Sequence, residues 1–149
     1  DSHYFADNGL AVVATDLSPQ MVAMCKRRGL EAHVMDVLNL DLPIGAFDAA
    51  YAMNSLLHVP NADLPGALAA IRRPLKPGAL FYLGVYGGPE PFEGILSSDW
   101  HSPKRFFSFR TDTQLLAAVE PLFGVEDFHV VEDDRHFQSL TLRALARVA

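Results

Sequence analysis

The sequence predicts an α/β fold, a doubly wound, mostly parallel sheet with a C-terminal antiparallel strand pair. Three observations carry this. Short continuous apolar runs alternate with amphipathic helical stretches from residue 11 to residue 86, the pattern of strands covered on both faces by helices. Two strand-like runs, residues 125–132 and 137–143, then follow one another across Asp133-Asp134-Arg135, so a turn there makes them antiparallel. A chain of 149 residues, half of them hydrophobic, suits one globular domain, taken here as residues 1–149.

The elements follow in order. Residues 11–15, Ala-Val-Val-Ala-Thr, read as a buried strand. Ser18-Pro19 opens a helix, with Ser as N-cap and Pro at its first position. Met21, Val22, Met24 and Cys25 form its apolar stripe, and Lys26, Arg27 and Arg28 suit its last turn, with Gly29 as the C-terminal cap. Residues 31–34 and 46–52 are further strands. Leu64, Leu68, Ile71 and Leu75 stand at helical spacing within residues 61–75, and Lys76-Pro77-Gly78 is expected to stop that helix. Residues 79–86 read as a strand. Residues 87–110 hold three prolines and three glycines without a clear period and read as a long loop, an active-site lid or substrate loop. Thr111 and Gln114 fit a capping box ahead of Leu115, Leu116 and Val119.

Composition narrows the function. A net charge of −6 argues against a nucleic-acid partner, which calls for clustered Lys and Arg. The longest apolar stretch, residues 77–89, is shorter than the ~18 residues of a membrane span and holds four glycines. One cysteine excludes an internal disulfide and a multi-Cys zinc site, and the six histidines show no i, i+4 pair, so no metal is expected. A cytoplasmic setting follows as the default. The partner expected is a small molecule, with no nucleic acid and no membrane, and a homodimer is compatible.

In such sheets ligands bind beyond the carboxyl ends of the strands. Asp16 follows the first strand and Asp36 the second, twenty residues on. A carboxylate at the first place can take both hydroxyls of a ribose; one at the second can accept from an exocyclic amine. Each acid alone also suits a helix start or a turn, and it is their joint placement that points to a ligand. Tyr51, Asn54 and His58 follow the third strand and Tyr86 the fourth.

Four segments in this order resemble the class I S-adenosylmethionine-dependent methyltransferases. They are Val12-Val13-Ala14-Thr15-Asp16-Leu17-Ser18-Pro19-Gln20-Met21, His33-Val34-Met35-Asp36-Val37, residues 47–59 from Phe47-Asp48 to His58-Val59, and Leu75-Lys76-Pro77-Gly78-Ala79-Leu80. The resemblance implies a Rossmann-like fold and methyl transfer from S-adenosylmethionine to a small-molecule acceptor by in-line displacement, with S-adenosylhomocysteine as product. It implies that Asp16 binds the ribose hydroxyls, Leu17 packs on the adenine, Asp36 accepts from the adenine amine and Val37 meets the ring. Asn54 would lie near the methionine part. Tyr51, His58 and the loop with Trp100 and His101 would line the acceptor side.

The family's first strand and glycine-rich loop are missing, and residues 1–9 resemble the helix after that loop. The sequence therefore reads as an N-terminally incomplete record, with two strand edges expected to lack partners. Where the acceptor is a hydroxyl or an amine, His58 and His101 are the base candidates. Arg110 is a candidate grip for a substrate carboxylate or, the preferred reading, a helix-start residue with its charge in solvent. Two alternatives stay open. An NAD(P)-dependent reductase would also use Asp16, but no Tyr-x-x-x-Lys pair is present. A methyltransferase-like domain that binds without catalysis is the other.

Overall fold

Both ends of the first long helix are closed by its own segment. In α2 (Pro19–Arg27) the Ser18 hydroxyl accepts from the Met21 N–H at 3.3 Å, and Pro19 sits where its missing N–H costs nothing. At the far end Gly29, at φ +80°, lets its N–H reach Lys26 O while Leu30 N–H reaches Cys25 O. These are the paired bonds of a Schellman cap. The helix joins β1 (Val13–Asp16) to β2 (Glu31–Val34), which run parallel with Asp16 beside Val34. A short helix, α1 (Ser2–Asp7), precedes them.

The computed structural model describes residues 1–132 and 135–146. The turn expected at Asp133-Asp134 lies outside the described residues. The chain divides into two compact units, residues 1–41 and 42–149.

The second unit is built on a four-stranded sheet in the order β3-β4-β8-β7. β3 (Phe47–Met53) and β4 (Leu75–Tyr86) are parallel, while β8 (His136–Ala144) is antiparallel to both β4 and β7 (Phe123–Glu132). Helix α3 (Leu64–Arg72) connects β3 to β4, and α4 (Asp112–Val119) precedes β7. The α4 start is a full capping box: Thr111 Oγ1 accepts from Gln114 N–H at 3.2 Å, and Gln114 Oε1 accepts from Thr111 N–H at 3.0 Å.

Four expectations change. The helix expected over 61–75 ends at Arg72, because Pro74 has no N–H to continue it and restricts the residue before it. Lys76-Pro77-Gly78 does not stop a helix; it lies inside β4, where pairing jumps from Phe47–Leu75 to Ala49–Leu80 and Gly78 takes φ +78°. Residues 87–110 are not structureless, since β5 (Phe92–Ile95) and β6 (Phe106–Phe109) form an antiparallel pair within them. Strands of four residues are too short to show a period of two over the surrounding Pro and Gly. The mostly parallel sheet is the fourth: the described residues form two parallel and three antiparallel pairings in three separate sheets. The broader α/β class stands. Among the described residues β1 pairs only with β2 and β3 only with β4, so each keeps one unpartnered edge.

Coverage of the four-stranded sheet is one-sided. Phe81, Leu83, Val85, Gln138, Leu140 and Leu142 share one face and are all buried, as are Leu64, Leu68 and Ile71 of α3 and Leu115 and Val119 of α4. On the opposite face Tyr51 is 39% exposed, Met53 43% and Leu80 43%. No helix of the described residues is long and apolar enough to cross a membrane, and no cluster of metal-ligating side chains occurs among them.

Candidate functional site

The first unit brings its two carboxylates to the carboxyl ends of neighbouring parallel strands. Asp16 ends β1, and its Oδ1 accepts from Ser18 N–H at 2.7 Å. Asp36 follows β2, and its Oδ1 accepts from Leu38 N–H at 2.9 Å. These are the same turn twice: a short side chain folds onto the backbone two residues ahead and fixes its own direction. The two ends are tied by Met35 N–H donating to Asp16 O at 3.1 Å. Both acids are exposed, Leu17 beside Asp16 is 66% exposed, and Val37 is half-buried. Among the described residues neither Asp16 Oδ2 nor Asp36 Oδ2 takes a hydrogen bond. Each carboxylate thus keeps an oriented acceptor for a ligand donor.

In the second unit Asn54 stands just beyond β3 in the left-handed region, φ +53°, with its N–H donating to Gly84 O at 2.8 Å. Asn tolerates this conformation better than most residues, and such backbone collects at functional sites. Its Oδ1 is buried without a hydrogen-bond partner. A buried acceptor left unpaired costs about 1–3 kcal/mol, which a bound donor would recover.

His58 closes a 3₁₀ turn, Leu56–His58, that follows Asn54. Its Nδ1 is 2.7 Å from Phe106 O, and its ring packs on Phe107 at 4.7 Å. A carbonyl only accepts, so Nδ1 carries a proton, and the neutral tautomer with that proton has its lone pair at Nε2. Tyr51 stacks on Tyr82 at 5.1 Å and donates from Oη to Met53 Sδ, and burial together with Tyr82 raises its pKa. Tyr86 is covered by the Arg135 guanidinium at 4.1 Å.

His101 and Trp100 sit on a segment organised by Asp99. The Asp99 carboxylate is buried and accepts from Arg105 N–H and Nε through Oδ2, from Arg105 Nη2 at 2.8 Å and from His101 Nδ1 at 3.1 Å through Oδ1. The Arg105 bonds hold its carboxyl well below the usual carboxylate range. Trp100 is 83% exposed and lies against the His101 ring.

Arg110 is where the expectation fails most clearly. Its charge is not in solvent, and it does not reach out as a grip: the residue is 3% exposed. Nε donates to Asn61 Oδ1 at 2.8 Å, Nη1 to Leu56 O at 3.2 Å and Nη2 to Val59 O at 2.7 Å. Burial pushes its pKa down, opposed by the nearby Glu93. Sequence reasoning also passed over the Asp99–Arg105 pair and the cluster in which Asp112 Oδ1 accepts from His136 Nε2 and Gln138 Nε2. Burial would raise the Asp112 pKa; the Gln138 and His136 bonds hold it below the ordinary value. These partners lie 24 and 26 positions apart, and no local pattern announces them.

In open α/β sheets ligands bind in the crevice beyond the carboxyl ends of the strands, and that is where Asp16 and Asp36 stand. The particular family is shown by comparison: the chain belongs to the methyltransferase domain family, whose model matches residues 2–83. A ubiquinone biosynthesis O-methyltransferase of Xanthomonas oryzae is 36% identical over 91 residues, covering 56% of this chain and 37% of its own. The chain thus spans less than half the length of the curated relatives it matches. Two solved structures share the fold. A methyltransferase from Methanosarcina mazei gives a TM-score of 0.84 at 16% identity, over 98% of this chain and 87% of that one. The 1,6-didemethyltoxoflavin-N1-methyltransferase of Burkholderia thailandensis, solved with S-adenosylhomocysteine, gives 0.80 at 22% identity, over 97% and 65%.

Proposed function

We propose that the protein transfers a methyl group from S-adenosylmethionine to a small-molecule acceptor. Family membership sets the class, and one observation carries the cofactor assignment. Asp16 and Asp36 stand at the ends of adjacent parallel strands, each held by one oxygen with the other left as an acceptor. Asp16 would hold the ribose hydroxyls with Leu17 against the adenine; Asp36 would accept from the adenine amine with Val37 beside the ring. The orphaned Asn54 Oδ1 would meet a donor on the methionine part.

The cofactor supplies an electrophilic methyl on a sulfonium, so the protein's work is orientation and proton removal. His58, with Nε2 as its lone pair, is the preferred base for a hydroxyl or amine acceptor. His101 is held in the same sense by Asp99 and is the second candidate. Tyr51, Tyr86 and Trp100 supply aromatic surface on the acceptor side. Residues 87–110 serve as the substrate loop. A reducing, cytoplasmic setting suits the single cysteine.

Calorimetric titration tests the reading, with S-adenosylhomocysteine in one arm and NADH and NADPH in two others. Binding of the first alone is expected. Binding of a nicotinamide alone would move the chain to a reductase, and no binding by a folded chain would leave a domain without this chemistry.

A further inference from the structure

We propose that Arg110 is a positioning residue for His58. The proposal rests on the reading of His58 as the base. Its ground is the pair of carbonyls that the guanidinium takes: Leu56 O through Nη1 at 3.2 Å and Val59 O through Nη2 at 2.7 Å. Leu56 begins the 3₁₀ turn that His58 ends, and Val59 follows it, so the two bonds bracket the histidine along the chain. Arg110 itself lies just past β6, the strand whose Phe106 O accepts from His58 Nδ1–H, and its Nη1 also reaches Ser108 O at 3.4 Å. The turn is therefore tied to β6 twice, by the imidazole and by the guanidinium. The third side of the fork is filled as well. Nε donates to Asn61 Oδ1, while Asn61 Nδ2 donates to Glu93 of β5.

A planar fork can hold several acceptors at fixed angles; an ammonium is a point charge and cannot span them together. The expected result of the fork is a single imidazole tautomer. With the turn held, Nδ1 stays on Phe106 O and Nε2 stays the lone pair. With the turn loosened, the ring loses that bond and both tautomers are populated.

The test is a long-range proton–nitrogen correlation spectrum of the labelled full chain at ~pH 8.5, where ordinary imidazole is neutral. The parent should show His58 protonated at Nδ1 alone. Arg110→Lys should show mixed tautomers, and the control Arg143→Lys, which alters an exposed pair with Glu126, should match the parent. Where Arg110→Lys does not fold, Asn61→Ala decides, since it removes the acceptor that aligns Nε; mixing is again expected. A parent protonated at Nε2, or a folded variant that keeps the pure Nδ1 form, overturns the proposal. S-adenosylhomocysteine is titrated into the same samples. Unchanged affinity in the variants is the expected companion result, because a general loss of structure would lower it. Failure of every sample to bind counts against the functional reading, while the tautomer spectra still decide the role of Arg110.

Discussion

The two faces of the four-stranded sheet have nearly the same apolar alternation and very different surroundings. On one, Phe81 and Leu83 are fully buried, with Phe81 tilted against Phe123 at 5.2 Å. On the other, Tyr51 stacks on Tyr82 and Tyr86 meets Phe137 edge-on, and Tyr51, Met53 and Leu80 remain well exposed. Composition explains part of the contrast. The buried face is almost wholly aliphatic and Phe, and its fully buried polar residue, Gln138, donates from Nε2 to Arg110 O and Asp112 Oδ1. The open face carries hydroxyls that find partners locally, such as Tyr82 with Ser139 at 3.3 Å. Apolar character alone therefore does not say that a face is covered; the chemistry of its aromatic residues says more.

The contrast can be broken most directly at adjacent residues of β4. Phe81→Ala should cost about 3–5 kcal/mol in urea unfolding, the range for a fully buried ring. Tyr82→Ala should cost less than half as much. Equal losses would mean that the open face is covered in solution.

The strand ends should answer to neither face. Asp16→Ala is expected to weaken S-adenosylhomocysteine binding by about 1–3 kcal/mol, from lost charged hydrogen bonds, with a smaller loss in urea unfolding from the missing bond to Ser18 N–H. Parental affinity in calorimetry would remove Asp16 from the site.

Gly84 sharpens the picture of the open face. A methyl group there would approach the Phe137 ring tip to 2.6 Å. Gly84→Ala should cost about 1–2 kcal/mol by overpacking. Adding Phe137→Leu should return part of it, because the obstacle is a side chain and not backbone. No recovery in the double variant would place the strain in the strand itself.

The smallest expected effect is optical and lies away from both faces. Trp100 is the only tryptophan and sits beside Asp99. Because the folded Asp99 pKa is depressed, its contribution is present above the unfolded value of about 3.9 and is lost only as pH falls through the lower folded value. The part of the Trp100 environment that depends on Asp99 should therefore hold down to about pH 4 and be lost only well below it. Asp99→Asn should show the changed emission already at neutral pH. Parental emission in that variant would contradict the pairing.

Much of the framework was legible. The caps of α2 and α4 could be read residue by residue because both are local: Ser18 with Met21, Gly29 with Lys26, Thr111 with Gln114. β1, β3 and the latter part of β4 were readable as apolar runs, β2 as a short strand, and Asp16 and Asp36 as acids at strand ends. The end of α3 was misread because Leu75 continues the helical spacing while Pro74 forbids the helix. What stayed hidden depends on distant partners. Arg110 is buried by Leu56, Val59 and Asn61, about fifty positions away, and the His58 tautomer is set by a carbonyl 48 positions on. Nothing in the local pattern around either residue encodes these contacts.

The register of β4 with β8 also has a meaning in time. Leu80 pairs with Arg143 and Tyr86 with Phe137, whereas Tyr51 of β3 meets Tyr82 of the same β4 much sooner along the chain. At a synthesis rate of about 5–20 residues per second, the β4 edge waits on the order of 3–12 s for β8 to emerge. For that interval the apolar β4 is a one-sided template for foreign strands. Pro77, with no N–H to offer, sits in the stretch of β4 that β8 never pairs, so the part left unprotected longest is also the part least able to recruit a stranger.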